Sequence, residues 1–381
     1  MNRVMIDASA LEHNIRTVDR WLAEQGASWT LVTKSLCGHT ETLESLPALG
    51  VCSVGDSRML NIKAARAAIP DSETWYLRLP HLSEIQEVIA YTDVSLNSEL
   101  EVIARLNIEA RKQDRLHGII IMIELGDLRE GILPGSLVKF YEQVFELSNI
   151  NVLGIGANLG CLSGTIPSID QVMQLVLYKE LLELKFQHPL KYVSGGTSAI
   201  LPLLRQGAIP KTLNHFRIGE SVYLGTDILH GGSLPGLRDD AFILEAEIAE
   251  IKEKSLVPSG ETGDLTPFDP LVTEETAPGR RGYRAVLTIG QLDTDVANLK
   301  PVNPEYQLAG ASSDLSVINL GDSTHGLKVG DTIQFRPGYS ALVHLMHDRY
   351  IPKQVLNRPS TDFSNPQEGL AGLLRDERSK P

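Results

Sequence analysis

From about residue 5 to residue 230, short apolar segments alternate with amphipathic helical ones, and this alternation restricts the fold more than any other feature of the chain. The strand candidates are 29–33, 50–54, 74–77, 93–96, 118–124, 152–157, 191–194 and 214–217. Between them, SRMLNIKAARAA, HLSEIQEVIAY, NSELEVIARLNIEARKQ and LVKFYEQVFEL place apolar residues three or four positions apart, the period of a helix buried on one face. Parallel strands need a crossover, usually a helix, so eight strands separated by helices form βαβ units. At this length such units close into a (β/α)₈ barrel. The alternative is a doubly wound open sheet, but no GxGxxG turn follows the first strand.

The pattern changes after residue 240. AFILEAEIAEIKEK reads as a strand followed by polar turns, although its glutamates also suit a helix. RAVLTIGQLD, EYQLAGASSDLSVINLG, DTIQFRPG and RYIPKQV are strand-like, with no long helices between them. The expected organisation is an α/β barrel over 1–235, its first residues able to join the second domain, then a mostly-β domain over 236–355. That domain contains a long acidic loop over 255–283, and a polar tail follows over 356–381. The formal charge of −13, from 35 basic and 48 acidic residues, argues against nucleic acid or an anionic membrane as the main partner. No run of about 18 apolar residues occurs, and the N-terminal stretch lacks the apolar centre of a signal peptide. The three cysteines, at 37, 52 and 161, show no metal-type spacing. A reduced cytoplasmic protein is the expectation.

Three strand ends carry chemistry, because barrels build their sites at the C-terminal ends of their strands. Lys34, in WTLVTKSLCGH, stands where a buried strand opens into a turn. A desolvated amine there is suited to condense with an aldehyde, whereas a lysine that snorkels to solvent is the plain alternative. In KYVSGGTSAILPLL, Gly195 and Gly196 let backbone amides approach a ligand, and Thr197 and Ser198 add hydroxyls where a helix starts. That combination suits a phosphate, and equally an ordinary capped turn. In NHFRIGESVYLGTD, Arg217 ends the eighth strand candidate, and Ile218 and Gly219 follow where barrels commonly bind phosphate. A lysine and a phosphate site at such strand ends point to pyridoxal 5'-phosphate (PLP).

These residues, in this order, carry a resemblance. From about residue 3 to residue 350 the chain resembles the fold-type III PLP enzymes, the alanine racemase-like family, and within it the ornithine racemase branch. The resemblance implies a PLP-binding barrel whose site is completed by the β domain of a partner subunit, hence a homodimer with shared active sites. It implies that Lys34 in VTKSLCGH joins the cofactor as a Schiff base and acts as one base of a racemase. Arg129, in ELGDLREGI, matches the arginine near the cofactor's phenolic oxygen, and Gly196, Thr197 and Ser198 match the phosphate-binding turn. Arg217 matches the arginine facing the pyridine nitrogen, with Ile218 and Gly219 at the phosphate. Tyr339, in FRPGYSAL, matches a tyrosine that reaches the phosphate. For Arg217 a structural salt bridge to Glu220 or Asp227 is the alternative role; for Arg129 it is pairing with Asp127 or Glu130.

One departure stands out. The opposing base of alanine racemases is a tyrosine in an IGYADG motif, and here Gln291 in TIGQLDTD occupies that place. Glutamine cannot exchange protons at a useful pKa. Asp293 and Asp314, in the two matched loops of the second domain, are the leading candidates for the second base. The same acids could instead hold a substrate ammonium group. Cys37, His39 and Cys161 are alternative bases. The activity implied is interconversion of the L and D forms of a small-molecule amino-acid substrate, with a basic one such as ornithine or lysine expected. No metal is expected. Other readings are a decarboxylase or an aldolase on the same fold, the latter disfavoured because His325, His344 and His347 have no obvious paired cysteine. A non-catalytic PLP-binding protein is the remaining alternative.

Overall fold

The structure is a computed structural model that describes residues 1–160, 162, 164–257, 259 and 279–357. Cys161, most of the acidic loop and nearly all of the tail lie outside the described residues. The strands are β1 (Arg3–Asp7), β2 (Ser28–Val32), β3 (Ser53–Asp56), β4 (Glu73–Tyr76), β5 (Val94–Asn97), β6 (His117–Met122), β7 (Ile150–Gly156), β8 (Tyr192–Gly196) and β9 (His215–Ile218). They continue with β10 (Phe242–Ser255), β11 (Arg281–Leu287), β12 (Leu299–Pro301), β13 (Gln307–Ala311), β14 (Ser316–Gly321), β15 (Thr332–Pro337) and β16 (Lys353–Leu356).

Strands β2 to β9 close into a parallel barrel in sequence order, and all eight coincide with the segments expected from apolar alternation. The largest shift in a boundary is at the second strand, which begins at Ser53 rather than residue 50. A 3₁₀ turn over Pro47–Leu49 precedes it and is capped by Gly50 at a φ of 90°, a left-handed conformation that glycine adopts freely. The barrel interior holds Trp75, Leu96, Ile120, Met122 and Tyr192, while a larger apolar layer packs between strands and helices. Both faces of each strand are thus covered, which is why the strands read as runs of apolar residues without polar alternation.

The second unit is an antiparallel sheet in the order β12-β15-β10-β11-β14-β13. The first residues join it: β1 pairs antiparallel with β10 and parallel with β16. AFILEAEIAEIKEK is neither helix nor strand-plus-turns but one 14-residue strand, β10. Leu244, Ala246 and Ile248 are fully buried at a spacing of two, and Glu245 is accommodated by Arg3 at 2.7 Å and Gln334 at 2.9 Å. A second correction concerns the expectation of no long helix here, since Tyr339–His347 is a nine-residue helix. It buries Ala341, Leu342, Leu345 and Met346, a helical spacing that the strand-like neighbours obscured. This helix packs on the turn that follows β2, bringing the second unit to the mouth of the barrel.

Candidate active site

A cavity of about 430 Å³ opens at the C-terminal ends of the barrel strands. It is within the size range of small-molecule sites. Lys34, Arg129, Thr197, Ser198, Arg217, Gly219 and Tyr339 all line it. These residues are distant in sequence, and the barrel mouth brings them together.

Lys34 is placed by the end of β2. The Thr33 amide donates to the Gly55 carbonyl at 2.8 Å, and the Thr33 hydroxyl donates to Asp56 Oδ2 at 3.0 Å. Asp56 is fully buried, and burial pushes its carboxyl up although the Arg58 amide, Thr33 and Asn61 hydrogen-bond to it. The chain then turns through Lys34–Leu36, directing the lysine into the cavity. The desolvation expected at Lys34 is not found within one chain: the side chain is exposed at the cavity mouth. Its Nζ lies 5.7 Å from the centre of the Tyr339 ring. Burial raises the Tyr339 hydroxyl, against the opposing charge and hydrogen bond of Lys34.

The loops after β8 and β9 form the opposite wall. The Thr197 hydroxyl accepts from the Ala199 amide at 3.3 Å, capping the turn that starts at Ser198. The Ser198 hydroxyl accepts from the Ser221 amide at 3.4 Å, which ties the two loops together. Gly196 does not line the cavity. A Cβ there would sit 2.0 Å from the Phe216 ring. Gly219 meets the same limit, since a Cβ would fall 2.7 Å from the Val32 carbonyl. Ile218 does not line the cavity either; it is fully buried in the core.

Arg217 rises from β9 to the cavity floor and is 5% exposed. Its guanidinium donates to the Ser194 carbonyl at 2.7 Å, to the Ser194 hydroxyl, to the Ala157 carbonyl at 2.9 Å and to Asn158 Oδ1 at 2.9 Å. Asn158 was not anticipated from sequence. Its amide also donates to Glu130, whose carboxylate receives Arg129 Nη2 at 2.6 Å. One asparagine therefore links the two cavity arginines, and Arg129 both pairs with Glu130 and lines the cavity. The available signal was position alone: Asn158 follows a barrel strand. Glu220 was anticipated only as a salt-bridge partner of Arg217, yet it is a cavity-lining carboxylate. Burial raises its carboxyl, and the Lys34 charge opposes that rise.

Asp293 and Asp314 lie elsewhere in the chain. Their loops are paired through the Gln291 amide to the Ser312 carbonyl at 3.0 Å and the Leu292 amide to the Ser313 carbonyl at 2.9 Å. Asp293 accepts from the Gly290 amide at 2.8 Å, and Asp314 accepts from the Ser313 hydroxyl at 3.0 Å. Burial raises the Asp293 carboxyl, and the carboxylates of Asp348 and Asp314 add to this against the Gly290 hydrogen bond. Of the alternative bases, the Cys37 thiol is pushed up to about 12 by burial and by Asp56, which disfavours the thiolate. His39 shares a hydrogen bond with the Thr42 hydroxyl at 2.8 Å.

Residues 6–227 match the family described as alanine racemase, N-terminal domain. The chain belongs to that family. It is 35% identical over 356 residues to the ornithine racemase of Acetoanaerobium sticklandii, covering 93% of this chain and 99% of that protein. It is 34% identical over 354 residues to the lysine racemase of Thermotoga maritima, covering 92% and 97%. Among solved structures, the alanine racemase from Streptomyces coelicolor A3(2) superimposes with a TM-score of 0.70 at 19% identity, over 93% of this chain and 98% of that one. D-threonine aldolase from Filomicrobium marinum shares the fold at a TM-score of 0.67 and 13% identity, over 91% and 89%.

Proposed function

We propose that this chain is a PLP-dependent racemase acting on a basic amino acid, ornithine or lysine. The observation that carries the reading is the meeting of Lys34, the hydroxyl-bearing turn at Thr197 and Ser198, and the buried Arg217 in one cavity. That donor set fits the cofactor: an amine for its aldehyde, hydroxyls backed by glycine for its phosphate, and a guanidinium for its ring nitrogen. When bound, PLP supplies an electron sink that weakens the α-C–H bond of an attached amino acid.

The residues then have separable tasks. Lys34 would hold the aldehyde and, once free, move a proton at Nζ on one face of the substrate. Thr197, Ser198 and Gly219 would receive the phosphate beside Tyr339. Arg129 would stand near the phenolic oxygen, steadied by Glu130. Arg217 would donate to the ring nitrogen and leave it unprotonated, because a guanidinium does not serve as an acid near neutral pH. This weakens the electron sink, which favours reprotonation of the α-carbon over side reactions.

The opposite face needs a second proton carrier. We assign it to Asp293 or Asp314 of a second copy in a cytoplasmic homodimer. In support, neither acid lines its own chain's cavity, and their loops present Leu292 at 74% and Leu315 at 41% exposure, as a surface covered by a partner does. The double variant Asp293→Asn, Asp314→Asn should lose α-proton exchange from one enantiomer in deuterated water by about 10²-fold or more while retaining it from the other. Undiminished exchange from both enantiomers excludes both acids.

Glu220 supports a cationic substrate, as a carboxylate inside the cavity. Glu220→Gln is expected to raise KM for L-ornithine by about tenfold or more, the loss of a charge-assisted hydrogen bond. Exchange of α-protons measured across the amino acids tests the reading as a whole. Exchange confined to neutral amino acids, or none, defeats it.

A further inference from the structure

Arg217 does not end at Ser194. The Ser194 hydroxyl that accepts from Arg217 Nη1 lies 2.8 Å from His215 Nδ1. His215 Nε2 lies 3.2 Å from the Thr30 hydroxyl, which lies 2.8 Å from the Ser53 hydroxyl. Every member is buried inside the barrel. The His215 ring is also clamped, stacked on Trp75 with centroids 4.3 Å apart and planes 8° from parallel.

The direction of this chain follows from elementary donor rules. A guanidinium can only donate, so the Ser194 oxygen accepts from Arg217 and its single proton is free to point to His215. Between the two partners of this hydroxyl only His215 Nδ1 can take that proton, so the arrangement that uses every donor makes Nδ1 an acceptor. A neutral imidazole with a bare Nδ1 carries its proton on Nε2, which donates to Thr30, and Thr30 donates to Ser53. A protonated ring would deprive the Ser194 hydroxyl proton of that acceptor. Burial, together with the Arg217 and Lys191 charges, agrees with this by holding the imidazole well below its ordinary pKa.

We infer that His215 is a positioning residue: through the Ser194 hydroxyl it fixes the orientation of the Arg217 guanidinium at the floor of the cofactor cavity. The proposal rests on the PLP reading for its consequence, though the relay itself exists without cofactor. Rotation of the guanidinium would change its contact with the cofactor ring, and small misplacements near reacting groups have large kinetic effects.

The first measurement uses ¹⁵N-imidazole NMR of the cofactor-free protein. His215 should appear as the neutral Nε2–H tautomer, and Ser194→Ala should shift its Nδ1 resonance. The second uses the reconstituted holoprotein. His215→Phe, which keeps the stacking on Trp75 but removes the acceptor, should shift the visible absorption of bound cofactor and its pH dependence. It should lower kcat by up to about 10²-fold with KM little changed. His215→Asn, which restores an acceptor near Nδ1, should recover much of both. Should His215→Phe not fold, Ser194→Ala must produce the same spectral change. An Nδ1–H tautomer, or an unchanged spectrum and kcat in a folded His215→Phe or Ser194→Ala protein, overturns the proposal. Failure of the wild-type chain to take up PLP would instead sink the functional reading and leave the relay to the NMR result.

Discussion

Lys34→Ala is expected to abolish covalent attachment of PLP and to lower racemisation by about 10²–10⁴-fold, the usual contribution of a positioned proton carrier, or more. The fold should survive. Lys34 is exposed at the cavity mouth, and its turn is held by backbone and Thr33–Asp56 hydrogen bonds that do not involve the amine. Borohydride reduction followed by peptide mapping should find a pyridoxyl group on Lys34 in the wild-type chain and nowhere in the variant. Full activity in Lys34→Ala, or a label on another lysine, removes the basis of the assignment. Because the second acid is proposed to come from another copy of a homodimer, the experiment has a complementary arm. Mixing Lys34→Ala chains with Asp293→Asn, Asp314→Asn chains should restore part of the activity, as each mixed dimer holds one complete site. If mixing restores nothing, the acids and the lysine belong to the same copy or the acids are not used.

The second large effect is acid instability originating inside the barrel. His117 and His215 are both fully buried and neutral. Burial takes His117 down to about 3, with Arg115 adding to the fall and Asp93 opposing it. Burial and the charges of Arg217 and Lys191 place His215 well below its ordinary value. Their partners are hydroxyls: Ser95 at 2.8 Å from His117, and Ser194 and Thr30 for His215. Below the ordinary value of about 6.5 the unfolded chain binds a proton at each site and the folded chain does not. Stability therefore falls as the pH drops through that value and keeps falling toward the folded pKa. Each histidine removes about 1.4 kcal/mol per pH unit, so the two together should cost about 3 kcal/mol between pH 8 and pH 5.5. Asp56, raised by burial, acts in the opposite sense. Denaturant unfolding across this range checks the slope, and His117→Gln should roughly halve it. An unchanged slope in that variant means His117 is not one of its sources.

Much of this molecule was written in local pattern. Apolar runs separated by helical periods identified every barrel strand, since burial on both faces leaves a signature that needs no tertiary information. Lys34, the Thr197–Ser198 turn and Arg217 stood out because they are polar groups at the ends of such runs. Residues whose roles depend on distant partners were not readable in this way. Gly196 read as a ligand contact, and its lack of a side chain also leaves the space into which Phe216 packs. Asn158 carries no motif, yet it reaches Arg217 on β9 directly and Arg129 through Glu130. The strand β10 and the helix Tyr339–His347 were blurred because their apolar spacings are short and flanked by strand-like sequence.

What the chain determined by itself was which segments are strands, which are helices, and which strand ends carry reactive groups. What only the tertiary structure decided was which of those ends meet. Thr30 of β2 lies in register with Arg217 of β9, nearly two hundred positions later, because the first and last barrel strands pair to close the ring. Ring closure is a cooperative property of all eight strands, and no short-range periodicity encodes it. It is this closure that brings the Lys34 amine and the Arg217 guanidinium to line one cavity.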